Sequence, residues 1–247
     1  MLNERLQRMK KRYFDTRPNI TAERIRLATE AYQKFAGEAI PIFRAKVLAY
    51  VLDHMTILIN DDELIVGTPS STYRGANLFP EYTSTKWLIS ELDDFPTRPA
   101  DPYDLTEADK NEIKDCLKYW KGKSMEDTAF EVLPPHIEKA RQTDIISIGC
   151  RNGCSGETMP NHQKLLTIGL NGYIGECEDN IAATLGGSKE KQEKIDFWKG
   201  SILICQAIIR FAERYSAHAE KLAAAESDPK RKAELLTIAS NCRNVPG

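Results

Sequence analysis

The longest regular pattern of apolar positions lies in the last third of the chain. Its members recur at spacings of three and four residues. They are Ile195, Trp198, Ile202, Cys205, Ile209, Ala212, Tyr215, Ala219 and Leu222. This spacing predicts one amphipathic helix of about eight turns. Leu203, Ile208 and Phe211 widen the apolar face in the middle of the stretch, which indicates burial on more than one side.

A second helix is predicted directly after the first. Asp228 is a typical N-cap residue, and Pro229 suits the first helical position because its missing N–H would have no intrahelical partner there. Leu235, Ile238 and Cys242 then repeat at helical spacing. The two elements together predict a helical hairpin.

Four shorter helices are predicted upstream. Thr21 is the expected N-cap of the first, which ends at Gly37. Pro41 begins the second. The third covers residues 84–92, and the fourth opens at Thr106.

Strand-like signals are few. Residues 57–59 and 64–66 are short β-favouring runs on either side of Asn60-Asp61-Asp62, which predicts a small hairpin. Residues 95–104, FPTRPADPYD, contain three prolines and are expected to form an irregular linker packed over the surface. The expected fold class is therefore mainly α with a short β-hairpin.

Composition and charge narrow the class of protein. Apolar residues make up 41% and charged residues 28% of the 247 residues, which favours a packed core. The 34 basic and 36 acidic residues nearly cancel, so no basic surface is expected for nucleic acid or an anionic membrane. No apolar run approaches the roughly 18 residues of a membrane span. The charged start, MLNERLQRMKKRYF, does not resemble a secretory signal, so we expect a cytoplasmic protein.

The six cysteines are interpreted as reduced thiols. Cys150 and Cys154 form the only close pair, and a zinc site would need two further ligands at suitable spacing. The four histidines supply no clear pair. We predict no metal site, and we expect Cys150 and Cys154 to be packing or loop thiols.

Candidate chemistry concentrates in residues 147–172, SIGCRNGCSGETMPNHQKLLTIGLNG. This stretch is a loop rich in Gly, Ser and Asn that leads into an apolar-periodic helix. Glu157 is its only acid. Binding residues concentrate in loops carried on a rigid scaffold, so this loop is the candidate binding segment. His162 is expected to be a surface residue in the first turn of the helix.

Seven segments of the chain, in order, resemble the N-terminal part of a glycyl radical enzyme. They are TRPNITAERIRLATEAY (16–32), ILINDDELIVGTP (57–69), ANLFPEY (76–82), ELDDFPTRPADPYDL (91–105), YWKGKS (119–124), the helix start at 156–172, and residues 212–247. The resemblance is nearest to the pyruvate formate-lyase-like group, which includes glycerol and diol dehydratases and choline trimethylamine-lyase.

The resemblance implies the helical N-terminal part of an α/β barrel in an enzyme several hundred residues longer. In that family a ten-stranded barrel holds two opposed finger loops. One carries a catalytic cysteine, followed two residues later by a glutamate in the dehydratase-like branch. The other carries a glycine radical, which an activating enzyme installs with S-adenosylmethionine and an iron–sulfur cluster. The partners implied are this activating enzyme, a small-molecule substrate, and further copies in a homo-oligomer.

The sequence does not contain the two motifs that carry the radical in this family. No cysteine stands in a Cys-x-Glu context, and no segment resembles RVAGY, so no cysteine or glycine is assigned a radical role. Residues 1–247 are therefore expected to be an incomplete pyruvate formate-lyase-like domain, as a truncation or one piece of a split enzyme. The chain is expected to form the N-terminal portion of a lyase or dehydratase and to be inactive on its own. The alternative is a helical interaction or structural subunit without catalysis.

Glu157 is the candidate substrate-binding residue. Glycerol and diol dehydratases carry Gly-His where this chain has Gly156-Glu157, and Pro-Asp-Tyr where it has Pro160-Asn161-His162. A carboxylate there can accept a hydrogen bond from a substrate hydroxyl or pair with a cationic amine. The alternative is an acid near a helix start, stabilised by the helix dipole. Because of the departure, the resemblance names the family but not the substrate.

Overall fold

The computed structural model describes residues 3–83, 85–143, 160–184 and 186–247. These residues are mainly helical, as predicted. The helices are α1 (Glu4–Asp15), α2 (Glu23–Lys34), α3 (Ile40–His54), α4 (Thr85–Glu91), α5 (Glu107–Trp120), α6 (Met125–Glu131), α7 (Pro135–Arg141), α8 (His162–Ala183), α9 (Lys189–Ala225) and α10 (Pro229–Asn244). The strands are β1 (Asn19–Ile20) and β2 (Gly75–Ala76).

The chain divides into two compact units. Unit 1 comprises Met1–Thr16, Glu30–Tyr73 and Pro160–Gly247. Unit 2 comprises Arg17–Thr29 and Arg74–Met159. Each unit is thus assembled from segments that are far apart in the sequence.

The long helix α9 is the centre of unit 1. It packs against α3, α8 and α10, which confirms the burial on more than one side that its wide apolar face predicted. The α9–α10 hairpin is also confirmed. Its core cluster consists of Ala219, Ala223, Leu235, Ile238 and Ala239.

A glycine allows a close approach between α9 and α3. At Gly200 an added Cβ would lie 2.8 Å from the carbonyl oxygen of Pro41.

Helix α8 is broken at Gly169, whose φ of 62° lies in the left-handed region. The break leaves the backbone N–H of Leu170 free of the helical ladder, and it donates to the carbonyl oxygen of Pro246 at 3.2 Å. A Cβ at position 169 would lie 2.6 Å from the oxygen of Gly247. Glycine is therefore required here both by the backbone conformation and by the neighbouring chain.

Two of the three predicted N-caps are observed. Thr106 accepts a hydrogen bond from the N–H of Asp109, and Asp228 accepts from the first-turn N–H groups of α10. The prediction for Thr21 is wrong, because its buried Oγ1 has no hydrogen-bond partner among the described residues. The N–H of Ala22 instead donates to the Asp109 carboxylate at 3.0 Å. The start of α2 is thus stabilised by a side chain from α5.

Unit 2 is built around a short parallel sheet. Asn19 pairs with Gly75 and Ile20 with Ala76, and Asp104 forms a further bridge to Asn19. The core cluster around it consists of Ile20, Ala22, Ile25, Leu78, Leu88, Leu92, Phe95, Ile113 and Leu117. Residues 95–104 are irregular as predicted, but the Asp104 bridge shows that they also complete the sheet region.

The predicted hairpin at residues 57–66 is wrong, since neither run forms a strand. The reason lies in the polar groups of the intervening turn. Arg231 donates to the carbonyl oxygens of Asn60 and Glu63 at 3.3 and 2.8 Å. The Asn60 N–H donates to the Glu63 carboxylate at 2.8 Å. These bonds lie within the turn, where the N–H of Glu63 also donates to the carbonyl oxygen of Asn60 at 3.4 Å, and they hold the turn against α10 without pairing residues 57–59 with residues 64–66.

Candidate functional site

The candidate residue Glu157 lies outside the described residues, together with Cys150 and Cys154. Its proposed contact with substrate therefore stays a prediction. His162 lies within the described part and begins α8 as an exposed residue, in agreement with the expected surface position. Asn161 caps this helix by accepting from the N–H of Lys164 at 3.0 Å.

The candidate site among the described residues is a cleft in unit 2, formed by α4, α6, α7 and the turn before α6. Its volume is about 870 Å³. It is lined by Thr83, Thr85, Lys86, Trp87, Lys121, Gly122, Glu126, Asp127, Phe130, Glu131, Glu138 and Arg141. In sequence, α7 directly precedes the predicted binding loop, so the cleft belongs to the part of the chain that leads into that loop.

A buried carboxylate organises the cleft. Asp127 is only 8% exposed. It accepts hydrogen bonds from Thr85 Oγ1 at 3.1 Å and from the N–H of Gly122 at 3.2 Å. Its own N–H donates to Ser124 Oγ, the N-cap of α6, at 3.0 Å. Hydrogen bonds of this kind offset the cost of burying a carboxylate, so Asp127 holds α4 and the turn against α6.

Two residues of α7 that line the cleft, Glu138 and Arg141, form an ion pair. Arg141 donates from Nε and Nη2 to the two carboxylate oxygens of Glu138, both at 2.7 Å. Hydrogen bonds from Arg141 and Gln142, outweighing the effect of burial, lower the pKa of Glu138 to about 2. Glu138 is therefore ionised at neutral pH and is poorly suited to general acid–base catalysis there.

The remaining wall is aromatic and mixed in charge. Trp87 is 46% exposed, and the Phe130 ring lies 4.5 Å beneath the Arg141 guanidinium. The same lining contains two cations and two further acids, Lys86, Lys121, Glu126 and Glu131. None of the described lining residues is a cysteine or histidine. The cleft can bind a polar or amphipathic group.

Several of the family-like segments meet in unit 2, which the sequence could not show. Trp120, from YWKGKS, donates from Nε1 to Thr29 Oγ1 at 2.9 Å. Arg24 forms an ion pair with Glu81 of ANLFPEY, and their side chains are 16% and 11% exposed. Neither Arg24 nor Glu81 carries a local sequence signal, because each partner lies far away along the chain.

The described residues contain no group of three His, Cys, Asp or Glu side chains arranged to hold a metal ion. Within the same ranges, every helix is too short or too polar to cross a membrane.

Comparison with known proteins identifies the family. The Pyruvate formate lyase-like family profile matches residues 2–247, and the chain belongs to that family. It is 32% identical to an isethionate sulfite-lyase from Oleidesulfovibrio alaskensis, over 93% of this chain and 29% of the relative. Among solved structures it resembles the B12-independent glycerol dehydratase from Clostridium butyricum, with a TM-score of 0.93, 32% identity, and coverage of 100% of this chain and 31% of that one.

A further solved structure, of an enzyme of 1,2-propanediol dehydration in Roseburia inulinivorans, gives a TM-score of 0.92 and 31% identity. It is matched over 100% of this chain and 29% of its own length. The chain thus spans about three tenths of the length of these relatives. The resemblance to the pyruvate formate-lyase-like group of glycyl radical enzymes is confirmed.

Proposed function

We propose that the chain forms the N-terminal portion of a glycyl radical lyase or dehydratase. The complete enzyme would cleave a C–O, C–N or C–C bond of a small polar substrate by radical chemistry. The observation that carries this proposal is the similarity of the whole chain to the glycerol dehydratase, at a TM-score of 0.93 and over 31% of that protein. The names of the relatives, a sulfite-lyase and dehydratases, support the reaction class.

The chain alone is proposed to be inactive. In the dehydratase-like branch the thiyl radical forms on the cysteine of a Cys-x-Glu loop, and none of the six cysteines of this chain is followed two residues later by glutamate. The residues present therefore do not fit the radical-bearing pair, and no radical step is assigned to them. In the complete enzyme, a glycyl radical would be installed by an S-adenosylmethionine-dependent iron–sulfur activating enzyme, and the complete enzyme is proposed to be a homo-oligomer.

Electron paramagnetic resonance tests this proposal. The chain is incubated anaerobically with an activating enzyme and S-adenosylmethionine, beside a complete glycyl radical enzyme that the same activating enzyme accepts. We expect a glycyl radical signal from the complete enzyme and none from this chain. A glycyl signal from this chain would contradict the proposal.

Within the complete enzyme, Glu157 is proposed to line the substrate pocket. Its carboxylate would accept a hydrogen bond from a hydroxyl group or pair with an amine, and charge-assisted bonds of this kind are the stronger class. The test is Glu157→Gln in the complete protein, with Glu178→Gln, an exposed acid on α8, as the matched control. We expect turnover and substrate preference to change for the first variant only. Equal behaviour of both variants would contradict the pocket role.

The alternative function is a helical interaction or structural subunit. It is favoured by the division of the chain into two compact units, with core clusters in unit 1 and unit 2. Thermal melting with light scattering separates the two. A cooperative melt from a monodisperse chain supports the subunit, whereas aggregation before melting supports a portion of a larger core.

A further inference from the structure

Helix α1 is attached to unit 1 without an apolar core. None of its residues is buried. Its large apolar side chains remain accessible, with Leu6 44%, Tyr13 48% and Phe14 71% exposed. Burial of apolar surface is the dominant stabilising force in most helix packing, so α1 must be held by something else.

Three arginines on one face of α1 make the attachment. Arg5, Arg8 and Arg12 follow one another at spacings of three and four, which places them on the same side of the helix. Arg8 donates from Nε to Asp62 at 2.9 Å and from Nη2 to the second oxygen of the same carboxylate. Arg12 donates to the Asn60 side chain at 3.1 Å. The guanidinium of Arg5 donates to the Glu234 carboxylate on α10.

The receiving surface consists of oxygen atoms and of the ring of Tyr73, whose centroid lies 4.4 Å from the guanidinium carbon of Arg12. Residues 60–63 form a turn that presents the side chains of Asn60 and Asp62 to α1, while Glu234 lies beside it on α10. Arg231, on the same helix, donates to the carbonyl oxygens of Asn60 and Glu63 and to Glu234. The turn is therefore held in place by α10 independently of α1.

We propose that the turn at residues 60–63, together with Glu234, is a docking site for guanidinium groups, and that α1 is its detachable occupant. The docking contacts are ionic or polar and partly exposed, so they are screened by salt. The Debye length falls from about 10 Å at 0.1 M to about 3 Å at 1 M ionic strength. The α9–α10 hairpin is held by apolar burial and by the Ser216–Ala239 hydrogen bond, and it does not depend on these ion pairs. Salt therefore releases α1 while the hairpin stays folded.

Release of α1 from the turn is expected to unfold this helix. An isolated helix shorter than about 12–15 residues is marginal in water, so α1, with its 12 residues, loses its helical hydrogen bonds once it leaves the turn. Hydrogen–deuterium exchange of the complete 247-residue chain, followed by mass spectrometry, measures this directly. Between low salt and 1 M NaCl we expect about tenfold faster exchange in α1, the effect of losing two or three exposed ion pairs, and unchanged exchange in α10.

Two variants of equal charge distinguish docking from a general effect of charge. Arg8→Gln removes a contact to the turn, whereas Lys11→Gln removes the same charge from the same helix, where the partner of Lys11 is Asp15 within α1. We expect Arg8→Gln to shift the release of α1 to a lower salt concentration and Lys11→Gln to leave it unchanged. The proposal is overturned if α1 exchange is independent of salt, if α1 and α10 lose protection together, or if both variants shift the release equally.

Discussion

Substitution of Gly200 by alanine tests the close packing of α9 against α3. The added Cβ would lie 2.8 Å from the carbonyl oxygen of Pro41 and 3.2 Å from its carbonyl carbon. Both atoms belong to the backbone, so no side-chain rotation relieves the overlap, and the two helices would have to move apart. Gly175 on α8 is the matched control, because a Cβ there meets nothing within 4 Å.

The two variants share one energetic contribution and differ in another. Alanine in place of a helical glycine stabilises by about 0.8–1.0 kcal/mol, so Gly175→Ala is expected to raise the free energy of unfolding by about that amount. At Gly200 the same gain is opposed by overpacking, which costs about 1–3 kcal/mol. The helix propensity cancels in the comparison, and Gly200→Ala should be less stable than Gly175→Ala by about 1–3 kcal/mol.

Urea unfolding of the complete chain, followed by circular dichroism at 222 nm, measures this difference. In thermal melts it corresponds to a gap in Tm of about 2–12 °C, at about 2–4 °C per kcal/mol for a chain of this size. Light scattering identifies aggregation that would distort either curve. If Gly200→Ala proves as stable as Gly175→Ala, the argument that α3 and α9 touch through their backbones is refuted.

Three further predictions concern single groups. A 13C NMR titration of Glu138 should give a midpoint near pH 2. Because the pKa of Glu138 is lower in the folded than in the unfolded chain, its ion pair with Arg141 stabilises the folded chain above the ordinary glutamate pKa. This stabilisation is lost as the pH falls through 2. A midpoint near pH 4.5 would contradict the prediction. Burial raises the pKa of Cys205, so iodoacetamide should alkylate it far more slowly in the folded chain than in urea, and equal rates would refute its burial. Thr29→Val removes the acceptor of the Trp120 Nε1–H and should destabilise unit 2 by about 1–3 kcal/mol, whereas exposed Thr237→Val should have little effect; equal losses would count against the bond.

Local signals predicted seven of the ten helices of the described residues, whereas α1, α6 and α7 were not predicted. The period of α9 and the caps at Thr106 and Asp228 depend on residues within a few positions of one another, and all were found as expected. The N-cap prediction for Thr21 was wrong because the start of α2 is stabilised by the carboxylate of Asp109, which is remote in sequence. The hairpin prediction at residues 57–66 was also wrong, and there too a residue remote in sequence, Arg231, holds the segment, since it fixes the turn against α10.

The site was less accessible to sequence reasoning. The resemblance identified the family correctly and placed Glu157 in the predicted binding loop, but its contacts lie outside the described residues. The cleft in unit 2 was missed, since its lining comes from four separate elements and no motif joins them. Arg24 and Glu81 were likewise missed, although each stands within a family-like segment. Their significance arises only from a pairing between residues that are far apart in the chain.

The bridge at Asn19 has a consequence for the order in which the chain folds. This residue pairs with Gly75 and with Asp104, so the sheet region cannot form until two long stretches of chain have closed. Loop closure slows the formation of such distant contacts, whereas helices adjacent in sequence meet early. Pulse-labelling hydrogen exchange during refolding should therefore protect the α9–α10 hairpin before β1, so that unit 2 is the later of the two to acquire its native pairing.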